Sequence, residues 1–137
     1  MNNENLKKRT KQFALEIIKF VETLPSDKTC AVLGRQLLRS GTSVGANYRA
    51  ACRAQSPADF IFKMGIVEEE ADESCFWIEL LLEAEKTSGE KVEALLKESN
   101  ELVAISVASI RTAKKTRESD STPQADAVPH SALRIPR

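Results

Sequence analysis

The chain has a single histidine in 137 residues, and that residue, His130, stands near the C-terminal end among prolines rather than in an apolar-periodic stretch. Its scarcity removes several chemistries. A di-iron centre in a helical bundle takes glutamates from all four helices and a Glu-x-x-His motif on two of them, and a serine or cysteine nucleophile needs a base beside it. The run Glu68-Glu69-Glu70, with Asp72 and Glu73, puts its carboxylates on one segment only, which suits a solvated or ion-paired face better than a metal site. The three cysteines, Cys30, Cys52 and Cys75, are odd in number and lack Cys-x-x-Cys spacing, so they read as small buried thiols. Neither Gly-x-x-x-x-Gly-Lys-[Ser/Thr] nor Gly-x-Gly-x-x-Gly occurs, which leaves no phosphate cradle. No stretch approaches the ~20 apolar residues of a membrane span, and MNNENLKKRTKQ has neither the apolar core nor the cleavage site of a signal peptide. An excess of one charge is missing too, since basic and acidic residues number 20 each, so any polyanion partner must be sought in how charge is distributed. The expectation is a cytoplasmic protein with no enzyme site, cofactor, metal or membrane partner.

What is present is helical periodicity. With 42% apolar and 29% charged residues, the length suits one globular domain with one core. Leu6, Phe13, Ile17, Phe20, Val21 and Leu24 recur at three- and four-residue steps and predict a helix from about Leu6 to Thr23. Pro25 stops it, and Ser26 or Asp27 can cap a second helix from about Lys28 to Ala54 with Leu33, Leu37, Val44, Tyr48 and Ala51 inward. Gly41 and Gly45 inside that helix each cost about 1 kcal/mol against alanine, which points to close approach by a neighbouring helix. Ser56-Pro57-Ala58-Asp59 combines a serine cap, proline at the first helical position and an acid near the positive helix end. A third helix therefore starts at Pro57 and runs to about Lys86, and Thr87-Ser88-Gly89 separates it from a fourth. The predicted fold is all-α: an antiparallel up-down-up-down four-helix bundle over residues 1–118, followed by a mobile, proline-bearing tail over 119–137.

The third helix carries Phe76-Trp77-Ile78-Glu79-Leu80-Leu81-Leu82, six apolar residues in seven, which wrap more than one face. A helix in a monomeric bundle exposes one side, so a second copy of the chain is expected to cover the excess. Segment charge agrees: residues 25–55 carry five basic and one acidic residue, and residues 56–86 carry two basic and nine acidic.

Gln36-Leu37-Leu38-Arg39-Ser40-Gly41-Thr42-Ser43-Val44-Gly45-Ala46-Asn47, then Ser56 to Lys63, then Glu70-Ala71-Asp72-Glu73-Ser74-Cys75-Phe76-Trp77, form a recognisable pattern. It resembles the four-helix-bundle family of proteins encoded in intervening sequences of bacterial 23S ribosomal RNA genes, over roughly residues 6–116. The family is also similar to accessory proteins of diversity-generating retroelements. The resemblance implies a bacterial, non-enzymatic homo-oligomer, a pentameric barrel, that engages RNA or DNA and a reverse-transcriptase-like or other protein partner. Ala50 and Glu68 depart from the commoner residues at their positions.

Two residue sets are candidate sites. If helices two and three turn near Gln55, Arg39 falls opposite Glu73 as a shielded pair, Asn47 opposite Gly65, and Ser43 near Glu69 or Glu70. Arg39, Ser43, Asn47, Glu70 and Glu73 then form an interhelix polar seam that fixes register, with a ligand pocket as the alternative. The second set is basic. In an up-down-up-down bundle the start of helix one, the turn between helices two and three, and the end of helix four share one end. Lys7, Lys8, Arg9, Lys11, Arg49, Arg53, Arg111, Lys114, Lys115 and Arg117 gather there, with Lys63, against only Glu4, Asp59 and Glu118. Such a pole suits phosphate backbones. The functional expectation is a scaffold or accessory for an RNA- or DNA-handling partner; the alternative is a protein-interaction or regulatory module with no nucleic-acid role.

Overall fold

The computed structural model describes residues 2–120, the side chain of Asp120 excepted. They form α1 (Asn3–Glu22), α2 (Lys28–Cys52), α3 (Pro57–Glu83) and α4 (Glu90–Asp120), with no strand among the described residues. α4 therefore continues past residue 118; the remainder of the expected tail, 121–137, lies outside the described residues.

Local chemistry sets the helix starts. Asn2 caps α1 by accepting from the Asn5 N–H at 2.8 Å, Asp27 caps α2 by accepting from the Cys30 N–H at 2.7 Å, and Ser56 caps α3 by accepting from the Asp59 N–H at 3.1 Å, with Pro57 next to it. Each cap satisfies a backbone donor that has no partner within its helix. α3 ends at Glu83, three residues before the expected Lys86. There Glu85 takes a left-handed conformation at φ 60°, the Lys86 N–H donates to Leu81 O at 2.9 Å, and the Glu85 N–H donates to Leu82 O at 3.0 Å. That paired bonding is a Schellman termination, built on a glutamate where glycine is usual. Gly89, at φ 112°, then supplies the turn into α4.

Packing follows chain order, α1 on α2, α2 on α3 and α3 on α4, and the α1–α4 interface is the thinnest. Contact partners ascend one helix as they descend the other. Between α1 and α2, the Tyr48 hydroxyl meets Asn3 at 3.1 Å, Gly45 lies against Thr10, and Gly41 lies against Ile17. Between α2 and α3, Ser40 meets Ser74 at 2.9 Å, while Asp27 receives a 3.3 Å hydrogen bond from Lys86 beyond the end of α3. The absence of a side chain at Gly41 and Gly45 is what lets α1 and α2 come this close. One core results, with Phe13, Ile17, Leu37, Val44, Met64, Ile78, Leu81, Val92 and Leu102 buried. No helix among the described residues is long and apolar enough to cross a membrane.

Candidate functional site

At the α2–α3 seam, Arg39 Nη1 donates to Glu70 at 3.1 Å and Nη2 donates to Glu73. Trp77 Nε1 donates to the same Glu73 oxygen at 3.1 Å, joining the cluster to an aromatic ring. The hydrogen bond to Glu73, offset by partial desolvation and helped by Glu70, pushes the Arg39 pKa further up. The expected shielding is not found: the Arg39 side chain is 47% exposed, so water and salt screen the pair. Ser43 and Asn47 do not reach α3. Ser43 Oγ donates to Arg39 O at 2.6 Å and Asn47 Nδ2 donates to Ser43 O at 2.8 Å, both within α2. The physical reason is proximity, since a carbonyl four residues back is always within reach of a short polar side chain.

The buried polar contact across this seam is instead between Ser40 and Ser74, each 0% exposed. Ser74 Oγ also lies 2.9 Å from Glu70 O and Ser40 Oγ 3.3 Å from Leu37 O, so either hydroxyl can donate across the seam while the other donates to its own helix. A similar step links α3 to α4, where Cys75 Sγ donates to Ser99 Oγ at 3.2 Å and Ser99 Oγ donates to Ala71 O at 2.9 Å. Burial pushes the Cys75 thiol pKa up, so it stays protonated and inert. Ser40 and Ser74 could have been found in the sequence as polar residues on the inner stripes of both helices, between Leu37 and Val44 and between Ala71 and Ile78.

The basic residues divide into paired and unpaired. Arg9 is committed to the α1–α4 contact: Nε donates to Glu98 at 2.6 Å, and Nη2 donates to Glu98 at 2.8 Å and to Glu101 at 2.5 Å. These bonds, Glu98 first, raise its pKa far above any solution range. Arg9 therefore ties two helices together instead of facing a ligand. Lys7 reaches Glu4 at 3.5 Å and Lys63 reaches Asp59 at 2.9 Å. Arg53 donates to its own helix at Arg49 O, 3.4 Å. Lys8, Lys11, Arg49, Arg111, Lys114 and Lys115 are exposed and form no ion pair among the described residues.

One cleft of about 750 Å³ brings the three basic segments together, because its lining runs from Asn3 and Leu6 through Tyr48, Cys52, Ser56 and Phe60 to Thr112, Thr116 and Arg117. Among the described residues no three His, Cys, Asp or Glu side chains converge as metal ligands.

The family model described as 23S rRNA-intervening sequence protein matches residues 2–108. The chain belongs to this family. Its fold is similar to the crystal structure of a protein with unknown function from the S23 ribosomal protein family of Bacteroides thetaiotaomicron VPI-5482, at 37% sequence identity and a TM-score of 0.74, covering 81% of this chain and 99% of that one. No curated protein matches this chain. In this chain α4 runs on past the matched residues, so Arg111, Lys114, Lys115 and Arg117 lie outside the family match.

Proposed function

We propose that this chain is a non-enzymatic, cytoplasmic helical bundle of up-down-up-down topology that assembles with copies of itself as a barrel and serves as a scaffold or accessory for an RNA- or DNA-handling protein. The observation that carries the reading is the set of exposed cations Lys8, Lys11, Arg49, Arg111, Lys114 and Lys115, on the helix segments that also line the cleft, none of which forms an ion pair among the described residues. Cations left unpaired at one end of a chain with balanced charge attract phosphate backbones through counterion release. The relatives' descriptions, which refer to 23S rRNA intervening sequences and to a ribosomal protein family, agree with a nucleic-acid setting. Self-association is supported by α3, where Phe62 and Phe76 are 46% and 50% exposed and Trp77 and Leu80 are half-buried. A pentameric state and a reverse-transcriptase-like partner follow the likeness to retroelement accessory proteins and belong to the same proposal. The same aromatic face favours a second reading, a protein-interaction module with no nucleic-acid role.

The test replaces Lys8, Lys11, Lys114 and Lys115 together by glutamine and titrates labelled structured RNA and duplex DNA at several salt concentrations. The parent protein is expected to bind, and the variant to bind more weakly, with a salt slope lower by about one unit for each phosphate it no longer neutralises. Unchanged affinity and slope would remove the basic end as the binding surface, and no binding by the parent protein would favour the interaction module. Light scattering of the parent protein checks assembly, and a monomer mass would remove the barrel.

A further inference from the structure

At 1.5 Å per residue, the 31 residues of α4 span about 46 Å and the 20 residues of α1 about 30 Å. The face of α4 that meets Arg9 through Glu98 and Glu101 continues at helical spacing as Ile105, Ala108, Ser109, Thr112 and Thr116, beyond the start of α1. The cleft lies where α1 no longer covers that face. Its floor is the buried Tyr48 and Ala51, and its far wall includes Phe60. Alanines along the lining leave a slot where larger side chains would have filled it.

We propose that this cleft receives an unstacked base of single-stranded nucleic acid, with its sugar, while the exposed cations Arg53 and Lys115, next in the chain to the lining residues Cys52 and Thr116, meet the flanking phosphates. The proposal rests on the basic-end reading above and adds the form of nucleic acid that the end recognises. Volume fits, because about 750 Å³ lies in the range of small-ligand sites. Chemistry fits as well. Ser109, Thr112 and Thr116 can each donate or accept a hydrogen bond, so they suit the edge of any base without selecting one, and Phe60 offers an aromatic wall for a flat ring. Among the described residues no carboxylate lines the cleft. The groove between α1 and α4, of similar size at about 760 Å³, carries Glu16 and Glu98 in its lining and is the poorer place for a phosphate chain. Much of the cleft's α4 wall lies beyond residue 108, outside the family match, so the site belongs to the long α4 of this chain.

The experiment compares a fluorescein-labelled oligouridylate of roughly 12 nucleotides with a blunt DNA duplex, each titrated at the same salt against the full chain and against Ala108→Trp. Ala108 is exposed on α4 in the cleft lining, so tryptophan fills the slot without altering charge. The single strand is expected to bind about tenfold more tightly than the duplex, and the variant to lose that preference while keeping duplex affinity. Alkylation of Cys52 gives a readout that needs no variant: Cys52 is half-buried in the cleft lining, whereas Cys30 and Cys75 are buried. Bound oligouridylate should slow its reaction with N-ethylmaleimide. No preference for the single strand, full retention of that preference in Ala108→Trp, or an unchanged Cys52 rate under saturating oligouridylate would each overturn the base-binding cleft. Duplex binding that survives such a result keeps the basic end as a surface, whereas absence of binding to either probe removes both.

Discussion

Ile17 Cγ1 lies 2.7 Å from the point where a β-carbon on Gly41 would sit, with Cγ2 and Cβ of the same side chain at 3.0 and 3.2 Å. Ile17 is fully buried and has nowhere to swing. Alanine in a helix interior gains about 1 kcal/mol over glycine, while overpacking a tight contact costs about 1–3 kcal/mol. Gly41→Ala should therefore destabilise the fold by about 1 kcal/mol. Gly34→Ala meets only the ends of Leu24 and Val21, both at 3.3 Å and both half-buried, and should change stability by less than about 0.5 kcal/mol. Urea unfolding of the two variants checks this; equal midpoints would contradict the close α1–α2 approach.

Glu85 holds the left-handed position that ends α3. A residue with a β-carbon is strained there by about 1–2 kcal/mol, part of which glycine gives back in chain entropy. Glu85→Gly is expected to raise stability by about 0.5–1 kcal/mol, and Gly89→Ala, at φ 112°, to lower it by about 1 kcal/mol. Thermal unfolding midpoints that move the other way would show that the α3–α4 turn is not strained in this manner.

Arg39 and Arg9 look alike in sequence and differ in worth. Because Arg39 is 47% exposed, Arg39→Ala should cost less than about 1 kcal/mol, shrinking as salt is added. Arg9, at 26% exposure, makes three charge-assisted bonds between α1 and α4, and Arg9→Ala should cost about 1–2 kcal/mol with weaker salt dependence. Arg9→Lys should recover little, since an ammonium cannot reproduce the guanidinium fork on Glu98. Equal costs for the two alanine variants would refute the distinction.

Asp27 has its carboxyl pKa lowered, first by the Cys30 N–H it caps and further by Lys86. A folded pKa below the unfolded value of about 3.9 means that the unfolded chain takes up the proton first as pH falls. The stabilisation is present above about pH 4 and is lost as pH drops through the folded value. Asp27→Asn keeps an oxygen acceptor for the cap but cannot titrate, so its stability should fall less steeply below about pH 4 than that of the parent protein. Parallel urea midpoints against pH for both proteins would exclude Asp27 as a contributor.

The helix starts were legible because each has a short-range cause: Asp27, Ser56 and Pro57 act on backbone atoms within a few residues. Gly41 and Gly45 were legible as contact points, since glycine inside a helix has a cost that close approach offsets. The end of α3 was not, because a glutamate gives no hint that it will take the place usually held by glycine. The seam was legible only as far as Arg39 with Glu73; Glu70, expected near Ser43, meets Arg39 as well, since long side chains tolerate a loose estimate of register. Short side chains do not, and so Ser43 and Asn47 turn to their own helix while Ser40 and Ser74 meet. The commitment of Arg9 to Glu98 and Glu101 depends on how α1 lies against α4, which no local pattern carries.

The link from Arg9 to Glu98 spans 89 positions of the chain. Closing a loop of that length takes more entropy than closing the hairpins α2–α3 or α3–α4, whose partners Ser40 with Ser74 and Cys75 with Ser99 are 34 and 24 positions apart. The expected folding order therefore has the sequential hairpins, in which Ile17 and Gly41 are as near in the chain as Cys75 and Ser99, forming first and the α1–α4 contact through Arg9 closing last. Truncating Arg9 should speed unfolding and leave the refolding rate nearly unchanged, whereas truncating Met64 should slow refolding.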